Sequence, residues 1–135
     1  MDNSKKTKRK ILVTQALPYA NAPLHLGHIL EAVQTDIWTR FQNFNDNECL
    51  FFCADDTHGT PVMLKANEMG IKPEELISDV YKDHKSSYEL YGINFANFYS
   101  THSDENRKYS EYIYECAKNN NLISKANIEQ YYDEK

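Results

Sequence analysis

The 135-residue sequence contains no long apolar run. A membrane-spanning helix needs about 20 consecutive apolar residues, and no stretch approaches that length. The basic opening MDNSKKTKRK is not followed by an apolar segment, so a secretory signal is not predicted either. We therefore expect a cytoplasmic protein without a membrane segment.

Cysteine is also scarce, with three residues at Cys49, Cys53 and Cys116. The first two have the spacing C-x3-C, but no second pair completes a tetrahedral metal site. We expect reduced, largely buried thiols and no metal ligands in this chain.

Positive charge is scarce outside the first ten residues. The net charge is −5, but residues 1–10 hold five of the 15 bases against one acid, so residues 11–135 carry 10 bases against 19 acids. Binding to a phosphate backbone normally requires a broad basic face, which disfavours a stand-alone nucleic-acid module and any DNA partner. Residues 1–10 are predicted to be a disordered basic leader; a nucleic-acid arm is the less favoured alternative.

The remaining sequence alternates strand and helix patterns within the usual length of one domain. The apolar block at Lys10–Ala16 predicts a strand, and Pro18 and Pro23 predict a shaped loop over residues 17–24. A helix is predicted from Leu26 to about Asn45, and a second strand follows at 49–54. The later predicted elements are helices at 61–70, 73–92 and 103–119, and strands at 95–99 and 122–132. This order predicts an α/β fold with a parallel sheet and flanking helices.

The predicted first helix carries apolar side chains at helical spacing. We expect them to form one stripe along the helix: Leu26, Ile29, Leu30, Val33, Ile37, Trp38, Phe41 and Phe44.

Chemistry is predicted where the loop enters this helix, in the run His25-Leu26-Gly27-His28. Ligands of open α/β sheets bind at the carboxyl ends of strands, and a helix N-terminus attracts phosphate. Two imidazoles three residues apart share a helical face, so both can donate to charge that grows on a triphosphate. Gly27 allows a flat base or a backbone to approach closely. H-x-G-H alone is short, and a structural or surface role for the histidines is the alternative.

Other groups converge on the same edge of the sheet. Tyr19 can reach over a small ligand, and the backbone of Ala16 and Leu17 leaves the strand ladder there. Asp55 and Asp56 end the neighbouring strand, where a carboxylate can hold an ammonium group; a helix cap for the next helix is an equally favoured alternative.

The run ALPYANAPLHLGH, residues 16–28, resembles the signature of class I aminoacyl-tRNA synthetases in their methionyl form, and CADDTHGTPVMLKA resembles a second block of that family. The likeness extends from Lys10 to Asp133 and covers the opening third or quarter of such an enzyme. It implies a Rossmann-like catalytic domain, with ATP and Mg²⁺, methionine and tRNA(Met) as partners. It also implies ATP-dependent formation of methionyl-adenylate and transfer of the methionyl group to tRNA.

The resemblance further implies roles for individual residues. His25 and His28 would be catalytic and contact ATP phosphates, with Gly27 against adenine and Tyr19 also at the ATP site. Ala16, Leu17, Tyr19 and Asp56 would surround methionine. Supporting positions would be Asn21, Asp55, His58 and Thr60.

The sequence departs from the family pattern mainly by what it does not contain. There is no KMSKS-like loop, zinc knuckle or anticodon-binding region in the 135 residues, so zinc is expected only downstream. We interpret residues 11–121 as the first half of the catalytic domain and residues 122–135 as the start of an insertion. The chain alone is expected to have little activity. A small H-x-G-H nucleotidyltransferase and a non-enzymatic synthetase remnant are the alternatives.

Overall fold

A computed structural model describes residues 7–129 and residue 131. The elements are β1 (Lys10–Thr14), α1 (Leu26–Phe44), β2 (Glu48–Asp55), α2 (Thr60–Met69), α3 (Pro73–Leu90), β3 (Asn97–Ser100) and α4 (Asp104–Asn119). The chain divides into two compact units, Met1–His102 and Ser103–Lys135. The first unit contains the sheet and α1 to α3, and the second contains α4.

The sheet has the order β1-β2-β3, and both strand pairs are parallel. Leu12 pairs with Leu50, and Ala54 pairs with Tyr99. All three carboxyl ends therefore lie at one edge, where the loops that follow the strands meet. The predicted Rossmann-like α/β class with a parallel sheet and flanking helices is confirmed.

Turn and cap residues set the helix boundaries close to their predicted places. Gly70 caps α2 with a φ of +69°, and Gly92 has a φ of +68° just beyond α3. Such backbone angles favour glycine because it has no Cβ. The Ser103 hydroxyl accepts a hydrogen bond from the Asn106 N–H at the start of α4.

The first helix forms as predicted, but its apolar stripe does not face the sheet as one surface. The buried side chains of α1 are Ile29, Ala32, Asp36 and Thr39, whereas Leu30, Ile37, Trp38 and Phe41 are exposed. The predicted positions share one side of the helix, but most of that side is exposed, and the side that packs on the sheet carries Ala32, Asp36 and Thr39. The close approach to Phe51 of β2 uses the side that carries the small residue Ala32.

Two apolar clusters form the core. One contains Ile29, Ala32, Phe51, Tyr88 and Ile93, and the Phe95 ring packs tilted against Phe51 at a ring-centroid distance of 4.5 Å. The other joins α2 and α3 through Val62, Ala66, Leu76 and Val80, and it includes Ala20 from the loop before α1.

The last predicted strand is wrong over the residues that the structure describes. Residues 122–129 have no regular secondary structure, and Gln130 and Tyr132 lie outside the described part. A strand needs a neighbouring strand to pair its backbone groups. The apolar side chains of this segment are instead exposed, as at Leu122 and Ile128. The division at residue 121 into two domains stays a prediction.

Candidate functional site

The loop between β1 and α1 is attached to the end of β2. The Asp56 N–H donates to the Pro18 carbonyl at 2.8 Å, and the Ala20 N–H donates to the Asp56 carbonyl at 2.9 Å. Ala20 is fully buried against α2 and α3, while the neighbouring Tyr19 is about half exposed. The loop is therefore fixed at its middle and presents the Tyr19 ring outward.

The backbone leaving β1 is also paired. The Ala16 N–H donates to a carboxylate oxygen of Glu31 on α1 at 2.9 Å. Gln15, just before it, is buried and donates from its amide to the Tyr88 hydroxyl at 3.2 Å. Leu17 is partly exposed beside this pair. The predicted methionine-contacting backbone at Ala16 thus has its N–H group occupied by Glu31, a residue that the sequence analysis did not single out.

The two histidines of the H-x-G-H run build the N-terminus of α1. His25 is the N-cap residue, and its Nδ1 accepts from the Gly27 N–H at 3.1 Å. The Nδ1 of His28 accepts from the His25 N–H at 3.3 Å. This reciprocal pair is a capping box made of imidazoles, and it satisfies backbone donors that the first helical turn leaves free.

These hydrogen bonds define the chemistry of both rings. Because each Nδ1 accepts a hydrogen bond from a backbone N–H, each ring carries its own proton on Nε2. The rings stack with centroids 3.7 Å apart and an angle of 16° between their planes. Burial lowers the pKa of His28, and the nearby His25 and His84 lower it further, against a smaller opposing effect of Glu31. The arrangement offers two neutral N–H donors at the positive end of a helix.

Gly27 leaves room for the His25 ring. A Cβ on Gly27 would lie 2.9 Å from Cε1 and 3.0 Å from Nδ1 of His25, so the ring would have to shift. Contacts within the chain therefore favour glycine at this position of the H-x-G-H run, whether or not a base binds against it.

The two adjacent aspartates have different surroundings. Asp55 is fully buried, and its Oδ1 lies 2.7 Å from Nδ1 of His84 on α3. Asp56 is half-buried in the next position, where the chain leaves the sheet. Neither caps α2, since the N-cap residue is Gly59 and it makes no side-chain cap bond. The helix-cap alternative is therefore wrong, and the structure separates a fully buried carboxylate from a partly exposed one.

The remaining supporting positions lie along the same edge of the sheet. The exposed His58 has its Nδ1 3.3 Å from the hydroxyl of Thr101, which lies 2.8 Å from the hydroxyl of Thr57. Asn21 is half-buried in the loop, and Thr60 is exposed at the first position of α2. His58 thus links the segments that follow β2 and β3.

His84 is the functional candidate that sequence analysis missed. Its imidazole has no exposed surface and lies between Asp55 and the Ala22 carbonyl, with its Nε2 2.8 Å from that oxygen. The available signal was its position four residues after Val80 and four before Tyr88, which places the three side chains on one face of a helix.

Among residues 7–129 and 131, no group of three or more His, Cys, Asp or Glu side chains is arranged to hold a metal ion. No helix in that part of the chain is both long and apolar enough to cross a membrane. Cys49 and Cys53 are buried, as expected, and burial raises the pKa of Cys53 to about 12, but Cys116 is exposed.

Comparison with known proteins gives one consistent family. The family model described as tRNA synthetases class I (M) matches residues 11–135. A methionine–tRNA ligase of Leptospira biflexa serovar Patoc is 56% identical over 126 residues, which are 93% of this chain and 18% of that protein. The chain therefore spans about a fifth of the length of the curated relatives that it matches.

Solved structures agree with this match. Mycobacterium tuberculosis methionyl-tRNA synthetase in complex with methionyl-adenylate aligns with a TM-score of 0.79 and 25% identity, over 84% of this chain and 22% of that one. The Agrobacterium radiobacter LeuRS, in a ternary complex with tRNA and LeuAMS, aligns with a TM-score of 0.80 at 22% identity, over 87% of this chain and 15% of that one. The second likeness shows a shared fold alone.

Proposed function

The chain belongs to the tRNA synthetases class I (M) family, and on that premise we propose that it supplies the histidine half of a methionine–tRNA ligase site. A carboxylate oxygen of methionine attacks the α-phosphorus of ATP and forms a P–O bond. The bond from that phosphorus to the bridging oxygen breaks, and pyrophosphate leaves with the electron pair. A terminal hydroxyl of tRNA(Met) then attacks the methionyl carbonyl and releases AMP. Mg²⁺ enters with ATP as part of the substrate.

The observation that carries this proposal is the imidazole capping box. His25 and His28 hold their Nδ1 atoms in backbone hydrogen bonds, which directs each Nε2–H away from the helix as a donor. Donors that are fixed before the reaction stabilise negative charge that develops on phosphate without having to reorganise. We assign both residues electrostatic stabilisation of the triphosphate, and we assign Gly27 a place against adenine.

Methionine would lie beside the loop between β1 and α1. Asp56 is the carboxylate proposed for its ammonium group, because Asp55 is fully buried against His84. Tyr19, half exposed at the middle of the loop, would cover the amino acid and border the ATP site. Ala16 and Leu17 would also contact the methionine. The Ala16 N–H would not take part, because it donates to the Glu31 carboxylate. Asn21, His58 and Thr60 remain proposed supporting residues.

The experiment replaces the matching 126 residues of the Leptospira biflexa ligase with this chain. The chimera supplies the later parts of the enzyme, and methionine-dependent ATP–pyrophosphate exchange measures adenylation. We expect His25→Ala and His28→Ala each to lower the exchange rate roughly 100-fold, the usual effect of losing one such donor. We expect Asp56→Asn to raise the KM for methionine.

Gln34→Ala is the matched control, because Gln34 is exposed on the same helix and away from its N-terminus. The proposal is wrong if the double variant of His25 and His28 exchanges as fast as the control. Turnover with phosphopantetheine in place of methionine would instead favour the small nucleotidyltransferase alternative. The substrates belong to protein synthesis, so the expected cytoplasmic location forms part of this proposal.

A further inference from the structure

The buried imidazole of His84 links three separate parts of the chain. It lies on α3 with no exposed surface, 2.7 Å from Oδ1 of Asp55 at the end of β2 and 2.8 Å from the carbonyl of Ala22 in the loop. A carbonyl oxygen only accepts hydrogen bonds, so Nε2 of His84 must carry a proton. The ring therefore holds the loop by donating to it.

Stability alone explains this arrangement poorly. A buried histidine–carboxylate pair costs desolvation that its attraction offsets only with good geometry. Oδ2 of Asp55 is also buried, and within the described part of the chain it has no hydrogen-bond partner. An apolar pair would avoid both costs. What such a pair could not provide is a directed donor to the Ala22 carbonyl.

The position of Ala22 makes that donor useful. The loop is attached to β2 at Pro18 and Ala20, and its next backbone anchor is the N-cap at His25. Pro23 lies between these points and has no N–H of its own to donate. The contact from His84 therefore fixes the part of the loop that leads directly into the histidine pair.

We propose that His84 is a positioning residue that holds the Ala22 carbonyl against the end of β2 and thereby sets the loop carrying Tyr19 and leading to His25. Its effect on ATP and methionine rests on the proposed function, whereas its effect on the loop does not. The charged and titratable groups that face it are Asp55 from β2, Asp83 from its own helix and His28 from α1.

The test compares His84→Gln with His84→Asn in the full chain. The glutamine amide reaches about as far as Nε2 and can still donate to Ala22, whereas the asparagine amide reaches only as far as Nδ1 and can contact Asp55. Both variants are neutral and polar at the same buried site. A difference between them at the loop therefore reports the Ala22 contact and not the loss of the ring.

Amide hydrogen exchange without any ligand is the measurement. We expect the amides of Ala20 and Asp56, which join the loop to β2, to exchange roughly tenfold faster in His84→Asn, as one lost hydrogen bond predicts. His84→Gln should remain near the unmodified chain. Tyr88→Phe is the control, because it removes another buried polar group one turn away on α3. Equal exchange at these amides in the two His84 variants would overturn the proposal.

A spectroscopic measurement on the unmodified chain covers the case in which both variants fail to fold. In ¹⁵N-labelled protein, the Nε2–H of His84 should be protonated and exchange slowly, because it is buried and bonded to Ala22. A ring that lacks a proton on Nε2 would contradict the proposal. In the chimera, normal pyrophosphate exchange by His84→Asn together with an altered loop would leave the positioning role intact and refute its link to adenylation.

Discussion

At the scale of the residue, Gly27 has the least room for a side chain among the four glycines, because the His25 ring lies against it. We expect Gly27→Ala to displace the His25 ring, because the new Cβ would lie 2.9 Å from Cε1. The bond from the Gly27 N–H to Nδ1 would be lost with it. Losing a cap costs about 1 kcal/mol, but alanine in a helix regains up to about the same amount relative to glycine.

Gly27→Ala should therefore separate stability from activity. The free energy of unfolding, measured with urea, should change by less than about 1 kcal/mol. Pyrophosphate exchange by the chimera should fall at least roughly tenfold, since one donor is misplaced. The exposed Gln34→Ala variant on the same helix should change neither quantity. Unchanged exchange would mean that the ring moves without consequence for ATP.

The charge of His84 predicts a pH dependence of stability. Burial lowers the pKa of His84, but the hydrogen bonds to Asp55 and Ala22 and the charges of Asp55 and Asp83 outweigh it and raise the pKa above its usual value. A raised pKa in the folded state stabilises the protein fully below the unfolded-state pKa of about 6.5. That stabilisation is lost as the pH rises through the folded-state pKa.

We therefore expect the stability advantage of the unmodified chain over His84→Gln to decrease as the pH rises above about 6.5. Urea unfolding at several pH values measures it. His28 acts in the opposite direction, because its lowered pKa destabilises the folded state as the pH falls. The difference between the two chains removes most of that effect. A constant difference across the range would contradict a charged His84.

The sequence predicts as site residues those whose types carry chemistry, such as His25, His28 and Asp56. It did not identify Glu31 or His84, because each acts on a backbone group that is distant along the chain. His84 contacts the carbonyl of Ala22, 62 residues earlier, and Glu31 accepts from the Ala16 N–H, 15 residues earlier. Nothing in the local pattern of α1 or α3 specifies such a partner.

At the scale of the element, a buried carboxylate joins α1 to the connection between α3 and β3. Oδ1 of Asp36 accepts from the Asn94 N–H at 3.2 Å, and Oδ2 accepts from Nε of Arg40 at 2.6 Å. Arg40 in turn donates to the Gly92 carbonyl at 2.7 Å. One helical turn of α1 thus satisfies several polar groups of the connection.

We expect Asp36→Ala to lower the free energy of unfolding by about 1–3 kcal/mol, because a partly buried N–H is left unpaired. Asp79→Ala is the matched control: it removes an ion pair to Lys82 whose side chains are 67% and 70% exposed. Exposed pairs contribute at most about 1 kcal/mol, so the control should differ little from the unmodified chain. Urea unfolding measures both variants. Equal decreases in their free energies of unfolding would contradict the prediction that the Asp36 network stabilises the fold more than an exposed ion pair does.

The order and type of the elements up to α4 follow from local signals, namely prolines, glycines and caps. The buried face of α1 does not follow from them, because the more apolar side of the helix is largely exposed and the side against the sheet carries Ala32, Asp36 and Thr39. Ala32 is fully buried while Trp38 is 43% exposed, although hydrophobicity alone favours the reverse. Close packing against β2 favours the small side chain of Ala32. The hydrophobic pattern of one sequence does not show how closely the helix approaches the strand.

At the scale of the whole molecule, the described residues place donors and carboxylates at one edge of a three-stranded sheet. The chain spans about a fifth of the length of the curated relatives that it matches. The 135 residues contain no KMSKS-like loop to face the histidine pair. Adenylation depends on holding both substrates within a narrow geometry, and a small misplacement can cost roughly 100-fold in rate.

The chain by itself should therefore show methionine-dependent ATP–pyrophosphate exchange close to background, while the chimera with the Leptospira biflexa ligase is active. Both proteins are measured in the same assay, with the unmodified ligase as the positive control. An inactive chain with an active chimera is expected if the residues of this chain are competent and the missing geometry is the limitation. Exchange by the chain near the rate of the complete ligase would show that the described edge of the sheet suffices. An inactive chimera that folds, as judged by urea unfolding, would refute the assignment of this chain to methionine activation.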